Sequence, residues 1–170
     1  MSGTPDEVAL TLAVGKAEHV AATISGAAVV VGCDSILDLD GEPLGKPRGS
    51  DEAIARWHHM RGRTGRLLTG HCVLRTDDQQ RATAVVSTSV RFANPSDDEI
   101  AAYVATGEPQ HVAGAFTIDG FGGWFVEGID GDHTNVIGIS LPRLRGLLSD
   151  VGVPVTSLWS RGTPDSRVDP

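Results

Sequence analysis

A short apolar run that ends in an aspartate most constrains what this chain can fold into. Residues 27–33 read AAVVVGC and are followed directly by Asp34. A short, continuously apolar and valine-rich run is typical of a strand that is buried on both faces. The sequence therefore predicts a strand inside a layered α/β domain, with a carboxylate at the C-terminal end of that strand.

Capping patterns place helices before and after this strand. Residues 4–7 (TPDE) and 96–99 (SDDE) are capping boxes, in which a hydroxyl and a glutamate satisfy free backbone N–H groups at a helix start. Apolar spacing predicts helices over 4–24, 50–60, 97–105 and 141–149. Strands are expected over 67–75 and 81–92, a glycine-studded loop with strands over 113–126, and a hairpin turn at residues 40–41. The predicted class is α/β, with a mixed twisted sheet flanked by helices.

Length and charge narrow the organisation and the partners. The 170 residues predict one domain over residues 1–160 and a flexible polar tail over residues 161–170. Fourteen basic and 22 acidic side chains give a net charge of -8, which argues against a nucleic acid polymer as partner. The longest apolar run, residues 27–32, is far shorter than the roughly 18 residues of a membrane helix, and no signal peptide is recognisable. We expect a cytoplasmic protein with no membrane partner.

The stretch from Gly32 to Pro47 holds the densest set of chemically useful residues. It carries Asp34, returns through a hairpin, and presents Lys46 in a Gly-Lys-Pro loop, so an acid and a cation are expected at one cleft edge. From the local pattern alone, Asp34 fits a turn-capping carboxylate as well as a catalytic one. Lys46 likewise fits a solvated loop cation as well as a functional one. Lys16, a lone cation in the first helix, by itself fits a solvated surface residue better than a functional one.

Several common enzyme classes are excluded by their missing motifs. Lys46 does not belong to a P-loop, because its spacing from Gly41 is one residue short and a proline follows it. The sequence contains no G-x-G-x-x-G after a strand, no G-x-S-x-G and no H-E-x-x-H. The histidines lack the spacing of metal ligands, and Cys33 and Cys72 are expected to be reduced core residues.

Four stretches in a fixed order carry a family resemblance. They read VVVGCDSILDLDGEPLGKP, DEAIARWHHMRGRTGRLLTGHCVL, YVATGEPQHVAGAFTIDGFGG and EGIDGDHTNVIGISLPRLRGLL. Together they closely resemble the Maf family of nucleoside triphosphate pyrophosphatases, over roughly residues 8 to 150. The blocks DGEPLGKP, AGAF-x-IDG and NVIG-x-SLP are far more specific than a single glycine motif.

The resemblance implies a bilobed fold with a central cleft and hydrolysis of a nucleoside triphosphate between its α and β phosphates. It implies that Asp34 is the proton acceptor and a ligand of a divalent cation, Mg²⁺ or Mn²⁺. Lys46 would bind phosphate, and Lys16 would point into the same cleft. Ser35 and Asp119 would contact the base. The resemblance also implies a homodimer and a role in clearing non-standard nucleotides.

The sequence departs from the family pattern at several places. The family's opening Ser-x-Ser-x-x-Arg loop and a following glutamate have no counterpart here, which is explained either by a start upstream of Met1 or by a truncated and inactive version. His111 and Val112 replace an Asp-Lys pair, Ser35 replaces threonine and Asp119 replaces glutamine. Because a carboxylate only accepts hydrogen bonds, Asp119 favours a guanine-like base over thymine or uracil. The alternative function is a nucleotide-binding regulator of septum formation without catalysis.

Overall fold

A five-stranded antiparallel sheet organises the fold of residues 3–159, which the computed structural model describes. The strands lie in the order β2-β1-β3-β4-β5, and all four neighbouring pairs are antiparallel. Their bounds are β1 Val29–Leu39, β2 Glu42–Leu44, β3 Thr64–Arg75, β4 Arg81–Phe92 and β5 Val126–Asp130. The α/β class with helices flanking the sheet is confirmed.

The described α-helices begin within one residue of their predicted starts, except the fourth, which the sequence did not predict. They are α1 Pro5–Ala21, α2 Ser50–Met60, α3 Asp97–Ala105, α4 His133–Ile137 and α5 Leu141–Asp150. Both capping boxes form, with the hydroxyls of Thr4 and Ser96 accepting hydrogen bonds from the N–H groups of Glu7 and Glu99. No helix among residues 3–159 is long and apolar enough to span a membrane.

Helix α1 packs unusually close to one face of the sheet. Its buried side chains are three alanines at four-residue spacing: Ala9, Ala13 and Ala17. They face two glycines of the sheet. A Cβ at Gly32 would lie 2.8 Å from the Ala17 nitrogen, and one at Gly70 would lie 2.8 Å from the Leu10 Cα. Since real Cβ contacts are not this short, both positions require glycine for this approach.

A cluster of aromatic side chains belongs to the largest hydrophobic core of the described residues. Trp57 of α2 is fully buried and makes edge-to-face contacts with Phe92, Tyr103 and Phe125. Its indole Nε1–H donates to the carbonyl of Ala115 at 2.8 Å, so the ring is satisfied as well as buried. This cluster anchors the glycine-rich segment after α3 to the end of the sheet where β1 and β2 meet.

The first strand differs from its prediction in two ways. It does not end before Asp34 but continues to Leu39, because β3 offers a pairing partner at every position from Val29 to Asp38. It is also not buried on both faces, since Val30 is 6 % exposed and Val31 is 40 % exposed. The apolar run therefore misled about burial, and the expected parallel component of the sheet is wrong for the described strands.

The predicted strands over 113–126 are wrong. This segment forms short 3₁₀ turns at Ala113–Ala115 and Phe121–Phe125, and a strand begins only at Val126. Gly114 has a φ of 68°, which an extended strand excludes. The short helix α4 was not predicted. The predicted tail over residues 161–170 lies outside the described residues, and the single domain over 1–160 stays a prediction.

Candidate active site

A cleft of about 800 Å³ is lined by residues that lie between Gly3 and Gly138 along the chain. Its lining comes from α1, the middle of β1, the loop after β2, the segment 111–119 and the end of α4. All five residues proposed from the sequence line it: Lys16, Asp34, Ser35, Lys46 and Asp119. Tertiary folding thus brings together residues that are far apart in the sequence.

Asp34 lies in the middle of β1, where it pairs with Gly70 of β3. Its side chain is 18 % exposed and forms an ion pair with the Nζ of Lys16. The same Nζ donates a hydrogen bond to the Cys33 carbonyl at 3.2 Å. The predicted strand-end position of Asp34 is wrong, yet its carboxylate opens into the cleft and does not cap a turn.

Lys16 reaches Asp34 because of the close packing of α1. The glycines at positions 32 and 70 let the helix backbone approach the sheet, and Lys16 lies next to the buried Ala17 on that helix. Its own side chain remains 57 % exposed. The sequence alone favoured a solvated surface role, whereas the fold places this amine on the candidate catalytic carboxylate.

The neighbouring thiol of Cys33 is chemically quiet. Burial raises its pKa to about 11, although the positive charge of Lys16 acts in the opposite direction. A thiol with this pKa stays protonated near neutral pH and is a poor nucleophile or metal ligand. Asp34, and not Cys33, is therefore the candidate reactive side chain of this part of the cleft.

Lys46 is exposed in the loop after β2, and its main chain is held from two sides. The guanidinium of Arg56 donates to the carbonyl oxygens of Gly45 and Lys46 and is itself paired with Glu52. The N–H of Gly114 also donates to the Gly45 carbonyl, at 3.1 Å. Sequence reasoning missed Arg56, whose partners lie 10 and 11 residues away from it along the chain.

Ser35 points to the opposite face of the sheet from Asp34 and joins a chain of hydroxyl groups. Its Oγ lies 2.9 Å from Thr69 Oγ1, and Thr69 Oγ1 donates to the carbonyl of Asn135 at 3.2 Å. Because the single proton of Thr69 is used on that carbonyl, Ser35 is the donor to Thr69. Ser35 therefore keeps only acceptor lone pairs for a ligand in the cleft.

Comparison with known proteins identifies the family of this chain. The family model described as Maf-like protein matches residues 1–151. The chain belongs to the Maf family. A protein of Streptomyces avermitilis named nucleoside triphosphate pyrophosphatase is 61 % identical over 159 residues, covering 92 % of this chain and 77 % of the relative. A protein of Salinispora tropica with the same name is 55 % identical, covering 95 % of this chain and 74 % of the relative.

This Maf chain also contains a buried polar network that sequence reasoning did not assign. His71 accepts a hydrogen bond at Nε2 from the N–H of Ser140 at 2.8 Å, and its Nδ1 lies 2.9 Å from the Thr69 carbonyl. Since a carbonyl only accepts, Nδ1 carries the proton and the ring is neutral. Asn135 adds a hydrogen bond from its Nδ2 to Thr88 Oγ1 at 3.1 Å. These residues stand in the second and fourth of the family-like stretches, but nothing local in those stretches indicates their partners.

The carboxylates of this Maf cleft fit a divalent cation only in part. Among the described residues, no group of three or more His, Cys, Asp and Glu side chains is placed to hold a metal ion. Asp34 supplies one carboxylate to the cleft, and Asp119 supplies another from a separate segment. Mg²⁺ commonly takes one or two carboxylates and completes its shell with substrate phosphates and water, so Asp34 suits a cation that arrives with a triphosphate.

Proposed function

We propose that this Maf protein hydrolyses a nucleoside triphosphate to the monophosphate and pyrophosphate. The observation that carries the proposal is the convergence of Asp34, Lys16 and Lys46, from three separate elements, in one cleft. An anionic triphosphate needs cations beside it and a base near the attacked phosphorus. The names of the relatives support the same activity.

The residues suggest how the reaction proceeds. Asp34 takes a proton from water, the water oxygen bonds to the α-phosphorus, and the bond from that phosphorus to the bridging oxygen breaks with its electrons leaving on pyrophosphate. Lys46 and Lys16 neutralise the charge that gathers on the leaving group. In the structure Lys16 is paired with Asp34. Transfer of this amine to a phosphate frees the carboxylate to accept the proton.

A divalent cation is part of the proposal. When bound, Mg²⁺ or Mn²⁺ supplies positive charge to the phosphates and lowers the pKa of a coordinated water. Asp34 is the side chain that would hold it. Loss of pyrophosphate release on chelation, with recovery on adding Mg²⁺ or Mn²⁺, is the expected result.

The nucleobase that suits this cleft carries hydrogen-bond donors. Ser35 presents acceptor lone pairs, as its hydroxyl proton is used on Thr69, and Asp119 is an exposed carboxylate at the cleft. Guanine offers the N1–H and N2–H donors, whereas the corresponding edges of uracil and thymine mix donors and acceptors. We therefore propose a guanine-like triphosphate as the preferred substrate.

Pyrophosphate release by the purified chain tests the activity. The Asp34→Asn variant should lose roughly 10²- to 10⁴-fold in kcat, as expected for removal of a general base. Asp40→Asn is the matched control, because Asp40 is an exposed carboxylate of the β1–β2 turn that pairs with Arg63 and does not line the cleft. No release by the unmodified chain, or equal rates for both variants, would contradict the proposed activity and favour a binding regulator.

Initial rates with GTP, dGTP, UTP and dTTP test the base preference separately. A higher kcat/KM for the two guanine nucleotides is expected, and a clear preference for dTTP would end this part of the proposal.

The homodimer and the cytoplasmic location stay predictions. Sedimentation equilibrium of the purified chain measures the first.

A further inference from the structure

Glu108, a carboxylate outside the predicted site, accepts four hydrogen bonds. Its Oε1 accepts from the Tyr103 hydroxyl at 2.8 Å, the Thr117 hydroxyl at 2.6 Å and the Gly122 N–H at 2.9 Å. Its Oε2 accepts from the Phe121 N–H at 2.9 Å. Three of these donors belong to residues 117–122, the segment that carries Asp119. The carboxylate therefore holds this segment on both sides of Asp119.

Two glycines allow the segment to fold directly onto the carboxylate. A Cβ at Gly120 would lie 2.7 Å from the Thr117 hydroxyl and would also collide with Glu108 itself. A Cβ at Gly122 would lie 2.5 Å from the Tyr103 hydroxyl and 2.6 Å from the Thr117 carbonyl. There is no room for a side chain at either position, so the shape of the segment is fitted to Glu108.

The charge of Glu108 suits this arrangement. Burial by itself would raise the pKa of Glu108, but the hydrogen bonds from Thr117, Gly122, Phe121 and Tyr103 outweigh it and hold the pKa below its ordinary value. An ionised carboxylate offers acceptor sites for all four donors at once, and its charge makes these hydrogen bonds stronger than neutral ones.

We propose that Glu108 is a positioning residue for nucleobase recognition, which acts by fixing the segment that presents Asp119 to the cleft. The inference rests on the proposed function, in which Asp119 contacts the base. Glu108 does not line the cleft, whereas Thr117 and Asp119 do. Loosening the segment should weaken the contact between Asp119 and the base, while Asp34 and the lysines on other elements keep their places.

The Glu108→Gln variant separates this role from simple packing. Its amide oxygen can replace Oε1, but its NH₂ group then faces the Phe121 N–H, so the hydrogen bond next to Asp119 is lost. We expect the ratio of kcat/KM for GTP over UTP to fall roughly tenfold, through a higher KM for GTP with kcat retained.

Tyr103→Phe is the matched control. It removes the one donor to Glu108 that comes from α3 and leaves the three donors of the segment in place. It should lower the thermal midpoint without changing the GTP-to-UTP ratio. If Glu108→Gln and Tyr103→Phe change that ratio equally, or neither changes it, Glu108 serves stability only and the inference is wrong.

Amide hydrogen exchange gives a readout that does not depend on turnover. In Glu108→Gln the Phe121 and Gly122 amides should exchange faster, while exchange of the Gly114 amide, which is hydrogen-bonded to the Gly45 carbonyl, should not change.

Calorimetric binding of non-hydrolysable GTP and UTP analogues gives the discrimination ratio without catalysis. An unmodified chain that binds but does not hydrolyse would contradict the proposed function alone; unchanged discrimination despite faster exchange would contradict the positioning role alone.

Discussion

At the scale of single residues, the ion pair between Lys16 and Asp34 contributes little to the free energy of unfolding, although it joins two residues of the proposed site. Lys16 is 57 % exposed, and exposed ion pairs contribute about 0–1 kcal/mol to folding because water and salt screen them. The same amine lines the cleft in which we propose that the triphosphate binds. Under the proposed function, Lys16 acts in substrate binding more than in folding.

The Lys16→Gln variant should show this separation. We expect kcat/KM for the triphosphate to fall roughly 10- to 100-fold through loss of a charge-assisted contact, while the free energy of unfolding changes by less than about 1 kcal/mol. Glu18→Gln is the control, because Glu18 lies on the same helix, is exposed and pairs with Arg81. Steady-state kinetics and urea unfolding measure both effects; a large loss of stability with unchanged kinetics would show a structural lysine instead.

Which residues were predictable depends on where their partners lie. Four of the proposed site residues stand inside motif blocks, and the family resemblance assigned them to one site. All four line the cleft: Asp34, Ser35, Lys46 and Asp119. Glu108 also stands in a block, but its role depends on donors that fold back onto it from residues 117–122. A role that exists only through tertiary hydrogen bonds leaves no local signal.

At the scale of elements, the distance between α1 and the sheet controls the site. Ala9, Ala13 and Ala17 lie against Gly32 and Gly70, and this small-residue contact brings Lys16 to Asp34. Packing of this kind is rigid, because neither backbone can move without opening the interface. Any side chain added between them displaces the helix as a whole.

Gly70→Ala should therefore impair both folding and activity. The added methyl collides with the α1 backbone at Ala9 and Leu10, so we expect a loss of about 1–3 kcal/mol in the free energy of unfolding and a lower kcat. Gly15→Ala is the control on the same helix: no atom lies within 4 Å of its added methyl, and it should stabilise by about 0.5–1 kcal/mol. Chemical denaturation of both variants checks the opposite signs.

The predictability of the elements follows from the kind of signal each carries. Helices α2 and α3 match their predicted bounds because apolar spacing and, for α3, the capping box are local properties; α2 itself begins after Gly49 without a side-chain cap. The segment 113–126 was mistaken for strands because its apolar residues, such as Ala115 and Phe116, are buried by the aromatic cluster and not by sheet pairing. Burial without a hydrogen-bonded neighbour produces the same sequence pattern as a strand.

At the scale of the whole molecule, His71 links the strands to the helices that follow them. The side chain is fully buried between β3 and the start of α5, where Ser140 caps that helix. Burial lowers the pKa of His71, the Thr69 carbonyl opposes this, and the nearby charges of Arg143 and Asp132 act in opposite directions. A protonated ring could not accept the Ser140 N–H.

The stability of the fold should consequently fall in mild acid. An unfolded histidine takes up a proton near pH 6.5, and folded His71 does so only at lower pH, so the free energy of unfolding decreases as pH drops below about 6.5, by up to about 1.4 kcal/mol per unit. The pKa of Glu108 is also lowered, so protonation of this carboxylate destabilises the fold only in more acidic solution.

Urea unfolding between pH 7.5 and 5.5 measures this effect. His71→Gln should flatten the pH dependence over this range, whereas His19→Gln, which changes an exposed histidine of α1, should leave it intact. An unmodified chain whose stability is constant over the same range would contradict a neutral, buried His71.

The uninterrupted course of β1 has a consequence for how such enzymes diversify. Adjacent residues of a strand project to opposite faces, so Asp34 faces the amine on α1 while Ser35 faces Thr69 and Asn135. One peptide bond separates the group that would handle the phosphates from the group that would read the base. Under the proposed function, mutation at position 35 can thus alter the choice of nucleotide while the hydrolytic residue beside it is inherited unchanged.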